Sequence, residues 1–194
     1  MSTPYILDTN TFINLNKCGY AINEPANAWF WEYLIELAYE NFIKVPESVC
    51  EELCKGSDGL SEWIKTNKKD FILHTSTVLS NEYGIVVNSY ASFSPDGVMP
   101  ETDLEYLGSH ADSYVIAHAM KEGGEVVSSE QESNATRPKN VKIPCVCRKL
   151  AVPFKPFAVF IWEIASKRTL ALAAKNNHQT ISTIFFCASV LYSI

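Results

Sequence analysis

YILDTN, at residues 5–10, is a short apolar run that ends abruptly in an acid, a hydroxyl and an amide. The apolar half predicts a buried first strand, and open parallel sheets carry their ligand sites at the carboxyl ends of such strands. An aspartate directly after Ile6 and Leu7 has no packing reason to be there. Asp8 is therefore a candidate site residue, with the alternative that it only caps a following short helix.

Strands and helices alternate along the rest of the chain. Strands are predicted at residues 4–7, 42–45, 71–73, 125–128 and 151–154. Helices are predicted at residues 27–41, 46–55, 60–67, 75–92, 111–122, 144–150 and 157–167. Asn27 is expected to cap the helix at 27–41. Gly123-Gly124 is expected to end the helix at 111–122. This alternation predicts an α/β fold with a mostly parallel sheet of about four to five strands.

The bulk composition places the chain among ordinary globular proteins. It has 194 residues, of which 47% are hydrophobic and 20% are charged, as in a domain with a real core. Its net charge of −6 and pI of about 5.2 exclude a generic DNA-binding protein but leave room for a local basic surface. One domain is predicted over residues 1–167, followed by an apolar tail of unknown role at residues 168–194.

The cysteines and the two ends of the chain predict the cellular location of the protein. The N-terminus is already strand-like and its first basic residue is Lys17, so no secretory signal is expected. The six cysteines are then expected to be reduced thiols in the cytoplasm. Residues 181–194 carry no charge but are too few to span a membrane. They are expected to pack on the core or on a partner, with a membrane contact or a foreign tail as alternatives.

Four acids fall at strand ends or near the starts of the following helices. They are Asp8, Glu52, Asp112 and Glu130. If the strands run parallel, these positions lie at one edge of the sheet and the carboxylates can converge. Clustered carboxylates repel one another unless protons or cations compensate them. Mg²⁺ and Mn²⁺ are hard cations that prefer oxygen ligands, so the ordered set indicates a divalent metal site.

Each acid taken alone also has an ordinary explanation. Glu52 and its neighbour Glu51 could simply face solvent on a helix. Asp112 suits the start of a helix electrostatically without any metal. Glu130 could sit in a polar turn. The metal site is therefore indicated by the order of the set and not by any single position.

The chain resembles PIN domains, the nuclease fold of VapC-like toxins in bacterial and archaeal toxin–antitoxin pairs. The similarity covers roughly residues 4–155. The matching stretches are YILDTNTFI at 5–13, VPESVCEEL at 45–53, ADSYVIAHA at 111–119 and VVSSEQES at 126–133. IPCVCRKL at 143–150 and the segments at 30–32 and 62–64 also resemble one prokaryotic branch of this superfamily.

The resemblance implies a three-layer α/β/α fold and a metal-dependent endoribonuclease. It implies that one or two Mg²⁺ or Mn²⁺ ions are held by Asp8, Glu52, Asp112 and Glu130, with a metal-activated water attacking the phosphodiester. Asn10 and Ser128 match the polar positions that support the first and last acids. Glu52 is chosen over Glu51 because the family's acid directly precedes an apolar residue. An antitoxin partner and a homodimer are also implied.

Two residues depart from the family pattern. The fourth acid is more often aspartate, and Glu130 is one methylene longer, which weakens its assignment as a metal ligand. Cys145 stands where this branch often has an acid. The nearby Cys145-Val146-Cys147 lacks the two-residue spacing of zinc knuckles, so zinc binding is not expected there.

A basic segment follows the last acid. Residues 135–155 hold no acid, and such a strip beside an acidic pocket is predicted to contact an RNA backbone, with an ordinary solvated surface as the alternative. The RNA-binding candidates are Arg137, Lys139, Lys142, Arg148 and Lys149. His110 is expected to be a surface or capping residue, and His118 is expected to pack in its helix.

Two other functions compete with the ribonuclease. One is a catalytically weak PIN-like scaffold that acts through protein or RNA binding. The other is a phosphatase of the haloacid dehalogenase type, which also begins with an aspartate after a strand. That chemistry requires a second aspartate two residues later, and Asn10 stands there instead.

Overall fold

In the computed structural model, residues 3–70, 72–73 and 79–173 are described. The chain divides into two compact units, Met1–Phe157 and Ala158–Ile194. The apolar stretch at 181–194 and the first residues of the helix predicted at 75–92 lie outside the described residues.

Within the described residues, the first unit is built on a five-stranded sheet. Its strands are β1 (Tyr5–Leu7), β2 (Ile43–Pro46), β3 (Ile72–Leu73), β4 (Glu125–Ser128) and β5 (Phe154–Pro156). Their order is β3-β2-β1-β4-β5, and every neighbouring pair is parallel. β1 and β4 are almost wholly buried, as central parallel strands covered on both faces must be. β1 therefore lies in the middle of the sheet, and its carboxyl end opens at the centre of one edge.

Helices cover the sheet and complete a three-layer α/β/α fold. They are α1 (Thr9–Lys17), α2 (Ala28–Tyr39), α3 (Glu47–Cys54), α4 (Gly59–Asn67), α5 (Ser80–Ala91), α6 (Glu101–Ser109), α7 (Ala111–Glu122) and α8 (Ile143–Leu150). The predicted α/β class, the parallel sheet and the three layers are confirmed. The prediction missed α6, which lacks an apolar stripe because only Asp103 and Leu107 are buried on it.

Local capping differs from the prediction at one helix and agrees at another. Asn27 precedes α2 but makes no capping hydrogen bond; its side chain instead donates to the carbonyl of Ala21 at 3.1 Å. Gly123 ends α7 with a φ of 60°, as a glycine in the left-handed region commonly does. At Gly124 a Cβ atom would meet the carbonyl oxygen of Pro4 at 2.9 Å, so only glycine permits this close approach to β1.

The tryptophans of the first unit divide between core and surface. Trp31 is 2% exposed, and its indole N–H donates to the carbonyl of Tyr20 at 2.9 Å. Its ring meets that of Trp63 edge-on at 4.9 Å, a favourable arrangement for two aromatic rings. Trp31 is therefore a core residue, whereas Trp29 is 39% exposed.

In the second unit the structure describes a helix, α9. This helix begins at Phe157, the last residue of the first unit, and is described as far as residue 173. The helix is longer than the predicted 157–167 and exposes the apolar side chains of Trp162 and Leu170. None of the helices in the described part of the chain has both the length and the apolar character that a bilayer crossing requires.

Candidate metal centre

The ends of β1 and β4 bring the first and last predicted acids to one edge of the sheet. Leu7 pairs with Val127 in parallel register, so Asp8 and Ser128 are neighbours across the two strands. The hydroxyl of Ser128 donates to Oδ2 of Asp8 at 2.7 Å and accepts from the amide of Glu130 at 3.1 Å. Ser128 therefore bonds the carboxylate of Asp8 and the backbone amide of Glu130, the two residues that it is predicted to support.

Asp8 is a buried carboxylate with one oxygen that has no partner. It is 1% exposed, and within the described residues Oδ1 has no hydrogen-bond partner. Asp8 occupies the N-cap position of α1, but its side chain makes no capping hydrogen bond. The capping hydrogen bond that the alternative explanation requires is therefore not seen. A buried acceptor without a donor is costly, so this oxygen is suited to a cation or a proton.

Glu52, on α3, makes hydrogen bonds to α1 and α7 at the same edge of the sheet. Its Oε2 accepts from the hydroxyl of Thr9 at 2.6 Å, and its Oε1 accepts from the amide of Ala111 at 2.8 Å. The carboxylate thereby satisfies a free amide at the start of α7. Glu52 is half-buried, whereas Glu51 is exposed. The solvent-facing alternative is thus right for Glu51 and wrong for Glu52.

Asp112 lies in the first turn of α7 and is half-buried. Burial, followed by the charges of Glu130 and Glu52, raises the pKa of Asp112 from 3.8 to about 6. Burial, followed by the charge of Asp112, raises the pKa of Asp8 from 3.8 to about 7. The carboxylates are therefore close enough to repel one another, which is the convergence that the parallel strands predict.

Glu130 is engaged with a lysine and with a helix start. Its Oε1 contacts Nζ of Lys142 at 2.6 Å, and its Oε2 accepts from the amide of Ile143 at 2.9 Å. Its side chain is 11% exposed. Lys142 also lowers the pKa of Asp112, so its ammonium compensates the acids from within the cluster. The ammonium of Lys142 therefore lies beside these acids.

The acid cluster, Asp8, Glu52, Asp112 and Glu130, fits a divalent cation in part. Across residues 3–70, 72–73 and 79–173, no group of three or more His, Cys, Asp or Glu side chains is arranged to hold an ion. The oxygens of Glu52 and Glu130 are directed to backbone amides, a hydroxyl and a lysine. The unpartnered oxygen of Asp8 and the all-oxygen donor set nevertheless suit Mg²⁺ or Mn²⁺.

Asn10 and His110 lie near the cluster without binding its acids. Asn10 is half-buried in the first turn of α1 and makes no hydrogen bond to Asp8 in the part of the chain that the structure describes. The support predicted from Asn10 is therefore not seen. The ring of His110 stacks on Tyr106 with centroids 3.8 Å apart, and its Nδ1 lies 2.8 Å from the carbonyl oxygen of Tyr106.

Two residues of the cluster's surroundings were missed in the sequence. Thr9 holds Glu52 in place, and its position directly after Asp8 could have suggested a site role. Tyr90, on α5, is fully buried with a hydroxyl that has no hydrogen-bond partner within the described residues. Burial, followed by the charge of Asp112, raises the pKa of Tyr90 well above 10. No local pattern marks Tyr90, because α5 is distant in sequence from Asp8, Glu52, Asp112 and Glu130.

The other basic candidates already have partners. Arg137 binds Asp103 through two nitrogens, with Nη2 at 2.9 Å from Oδ1, and the side chain of Asp103 is unexposed. Arg148 pairs with Glu132. Two lysines lie over aromatic rings: Lys139 is 6.0 Å from the centroid of Tyr106 and Lys149 is 4.8 Å from that of Phe93.

A polar pocket of about 300 Å³ adjoins the cluster and shares Glu52 with it. Its lining includes Glu47, Glu51, Lys55 and His110. Three acids against one lysine make this pocket unfavourable for a phosphate group. A phosphate would therefore be better accommodated on the Lys142 side of the cluster.

The raised carboxyl pKa values lead to a prediction about stability. The folded protein binds protons at Asp8 and Asp112 up to pH 6–7, whereas the unfolded chain releases them near pH 4. Stability from these groups is therefore present at low pH and lost as pH rises through their folded pKa values. We expect these two carboxyl groups to lower the unfolding free energy of the metal-free protein by about 1–2 kcal/mol between pH 6 and pH 8.

Urea unfolding in EDTA at several pH values measures this effect. His118 has a pKa lowered by burial to about 4, so it contributes the opposite trend up to about pH 7 and offsets part of the loss. Comparison of wild type with Asp8→Asn isolates the carboxyl contribution, because His118 is common to both. Asp8→Asn should flatten the curve above pH 6. An equally steep curve in the variant would contradict the assignment to Asp8.

The sequence model of the family described as Domain of unknown function (DUF4411) matches residues 5–165. No curated protein matches the chain. Among solved structures, the chain is similar to PAE2754 from Pyrobaculum aerophilum, with 17% identity and a TM-score of 0.36. That similarity covers 78% of this chain and 98% of the other.

Proposed function

The chain belongs to the Domain of unknown function (DUF4411) family, and from its acid cluster we propose that it is a metal-dependent endoribonuclease. It would hydrolyse RNA phosphodiester bonds with Mg²⁺ or Mn²⁺. The observation that carries the proposal is the buried Asp8, whose unpartnered oxygen lies among carboxylates that repel it. Such a cluster is costly to keep unless it serves a cation.

The residues of the acid cluster would have different roles in metal binding. Asp8 and Asp112 would hold the ion, with Glu52 and Glu130 turning toward it. When bound, the ion supplies an activated water and neutralises charge on the phosphoryl group. Ser128 keeps the carboxylate of Asp8 oriented through its 2.7 Å hydrogen bond.

Lys142 would change partners when the ion binds. Its ammonium contacts Glu130 in the metal-free arrangement at 2.6 Å. A divalent ion would displace it, because both compensate the same negative charge. The released ammonium lies beside the site and could then contact a phosphate of the RNA.

The RNA backbone would run over the exposed basic side chains of α8. Arg148 and Lys149 lie there, and the ion pair of Arg148 with Glu132 is exposed on both sides. Exposed pairs contribute little free energy, so Arg148 can exchange Glu132 for a phosphate at small cost. Because the net charge is −6, this contact would be local.

The biological role that we propose is that of a toxin in the cytoplasm. This proposal rests on the resemblance to VapC-like proteins. It requires an antitoxin protein that inhibits the nuclease, and it is compatible with a homodimer. Growth arrest on expression without the antitoxin, and relief by Asp8→Asn, would support it. Harmless expression of an active wild-type nuclease would count against it.

A scaffold that acts through protein or RNA binding is the second candidate. The observation that favours it is the engagement of Glu52 and Glu130, which are each bound to backbone amides at helix starts. If those carboxylates stay in place, they are structural groups and the cluster cannot form a full metal site.

The decisive test compares Glu52→Gln with Glu51→Gln. Glutamine keeps the size of the side chain but removes its charge, and Glu51 is exposed on the same helix. We expect wild type to bind Mn²⁺ by calorimetry and to cleave RNA, with EDTA abolishing cleavage. Glu52→Gln should lower metal affinity and cleavage by about 10–100-fold, and Glu51→Gln should retain both. A wild type that neither binds Mn²⁺ nor cleaves RNA would favour the scaffold.

A further inference from the structure

Tyr90 is a buried polar side chain that the proposed chemistry does not yet use. It lies on α5, which packs against α7 and α8, the helices that carry Asp112 and follow Glu130. Its side chain is 0% exposed. In the described part of the chain, its hydroxyl has no hydrogen-bond partner. Buried hydroxyl groups are normally bonded, so this one requires an explanation.

The hydroxyl lies within electrostatic range of the cluster. Burial is the main cause of the raised pKa of Tyr90, and the charged groups that add to it are Asp112 first and then Cys147, Glu130 and Asp8. A tyrosine hydroxyl donates one hydrogen bond, and an ionised carboxylate accepts several. The cluster thus contains an unused donor on Tyr90 and an unused acceptor on Asp8.

We propose that Tyr90 is a positioning residue of the metal centre, whose hydroxyl donates a hydrogen bond to the carboxylate of Asp112 when that carboxylate turns toward a divalent cation. This inference rests on the proposed metal-binding function. The bond would hold Asp112 in the orientation that the ion requires. Outer partners of this kind fix metal ligands in place and raise metal affinity.

The choice of tyrosine over phenylalanine supports this role. Phenylalanine would fill the same space between α5, α7 and α8 without burying an unsatisfied hydroxyl. In the metal-free arrangement the hydroxyl therefore lowers stability. A group that lowers stability in a packed core is expected where function needs it.

Tyr90→Phe separates the two roles of this side chain. We expect the metal-free variant to unfold in EDTA at the same temperature as wild type or at a higher one. We expect its Mn²⁺ affinity, measured by calorimetry, to be about 10–100-fold weaker. The rise in unfolding temperature on adding Mn²⁺ should be correspondingly smaller.

Tyr83→Phe is the matched control, because Tyr83 lies on the same helix and its ring stacks on Tyr114 at 4.9 Å. It should leave Mn²⁺ affinity unchanged. Equal affinity in Tyr90→Phe and wild type would overturn the inference and leave the proposed function intact. A lower unfolding temperature of Tyr90→Phe in EDTA would reveal a structural partner and would also overturn it. A wild type that binds no Mn²⁺ would overturn both proposals.

Discussion

Replacing Asp8 with asparagine is expected to lower Mn²⁺-dependent RNA cleavage by more than about 100-fold, because the loss of a direct ligand exceeds that of an outer partner. Asp8 follows the central strand and offers the cluster its unpartnered oxygen. Asparagine has the same shape but no charge. The ion would therefore lose the carboxylate that the sheet places at the middle of its edge.

The same substitution should leave the metal-free fold at least as stable as wild type. The asparagine oxygen can still accept the hydrogen bond that Ser128 donates to Asp8 at 2.7 Å. At pH 8 the substitution also removes a buried negative charge that Asp112 and Glu130 repel. Loss of cleavage without loss of stability would separate a site residue from a packing residue.

Single-turnover cleavage at saturating Mn²⁺ and thermal unfolding in EDTA measure the two effects. Asp96→Asn is a suitable control, because Asp96 is exposed and, among the described residues, bonds within its own loop to Ser94 and Val98. The control should cleave as wild type does. Unchanged cleavage by Asp8→Asn would mean that the acid cluster is not the nuclease site.

The fold was predictable where local patterns and strand ends agree. The apolar run before Asp8 and the run before Ser128 each form a buried parallel strand. Parallel pairing then places their carboxyl ends at one edge. Glu52 was predictable for the same reason, because α3 begins where β2 ends.

The parts that the sequence does not reveal depend on contacts between distant segments. Lys142 was assigned to an RNA-binding strip, yet its nearest charge is Glu130 in the acid cluster. Tyr90 interacts electrostatically with Asp112, and its helix α5 packs on α7. Neither interaction leaves a spacing signal, since nothing local connects the residues involved. The PIN resemblance itself stays a prediction.

Arg137 is another residue whose contact is not visible in the sequence, and its substitution has the second large expected effect. Arg137→Ala should lower the unfolding temperature by about 5 °C or more. Arg137 grips Asp103 with two nitrogens, and the amide of Lys139 also donates to that carboxylate. The Arg137 side chain is half exposed, but that of Asp103 is not exposed at all. Removing the arginine would leave a covered carboxylate without its cation.

The lowered pKa of Asp103 agrees with a stabilising role of Arg137. The hydrogen bond from Arg137 lowers the pKa of Asp103 below its ordinary value. Stability from Asp103 is therefore present above the unfolded pKa and is lost as pH falls through the folded one. Arg137 thus holds the segment after the acid cluster onto α6 through Asp103.

Lys149→Ala is the matched comparison, because Lys149 is a basic residue of the same predicted strip that lies over the ring of Phe93. We expect Lys149→Ala to weaken RNA binding with little change in unfolding temperature. The double variant of Arg137 and Asp103 should be less destabilised than the sum of the two single alanine variants, since the two side chains form one pair. The unfolding temperatures of wild type, Arg137→Ala, Asp103→Ala and the double variant complete this double-mutant cycle. If Arg137→Ala unfolds as wild type does but binds RNA more weakly, the original assignment of Arg137 to RNA binding is the correct one.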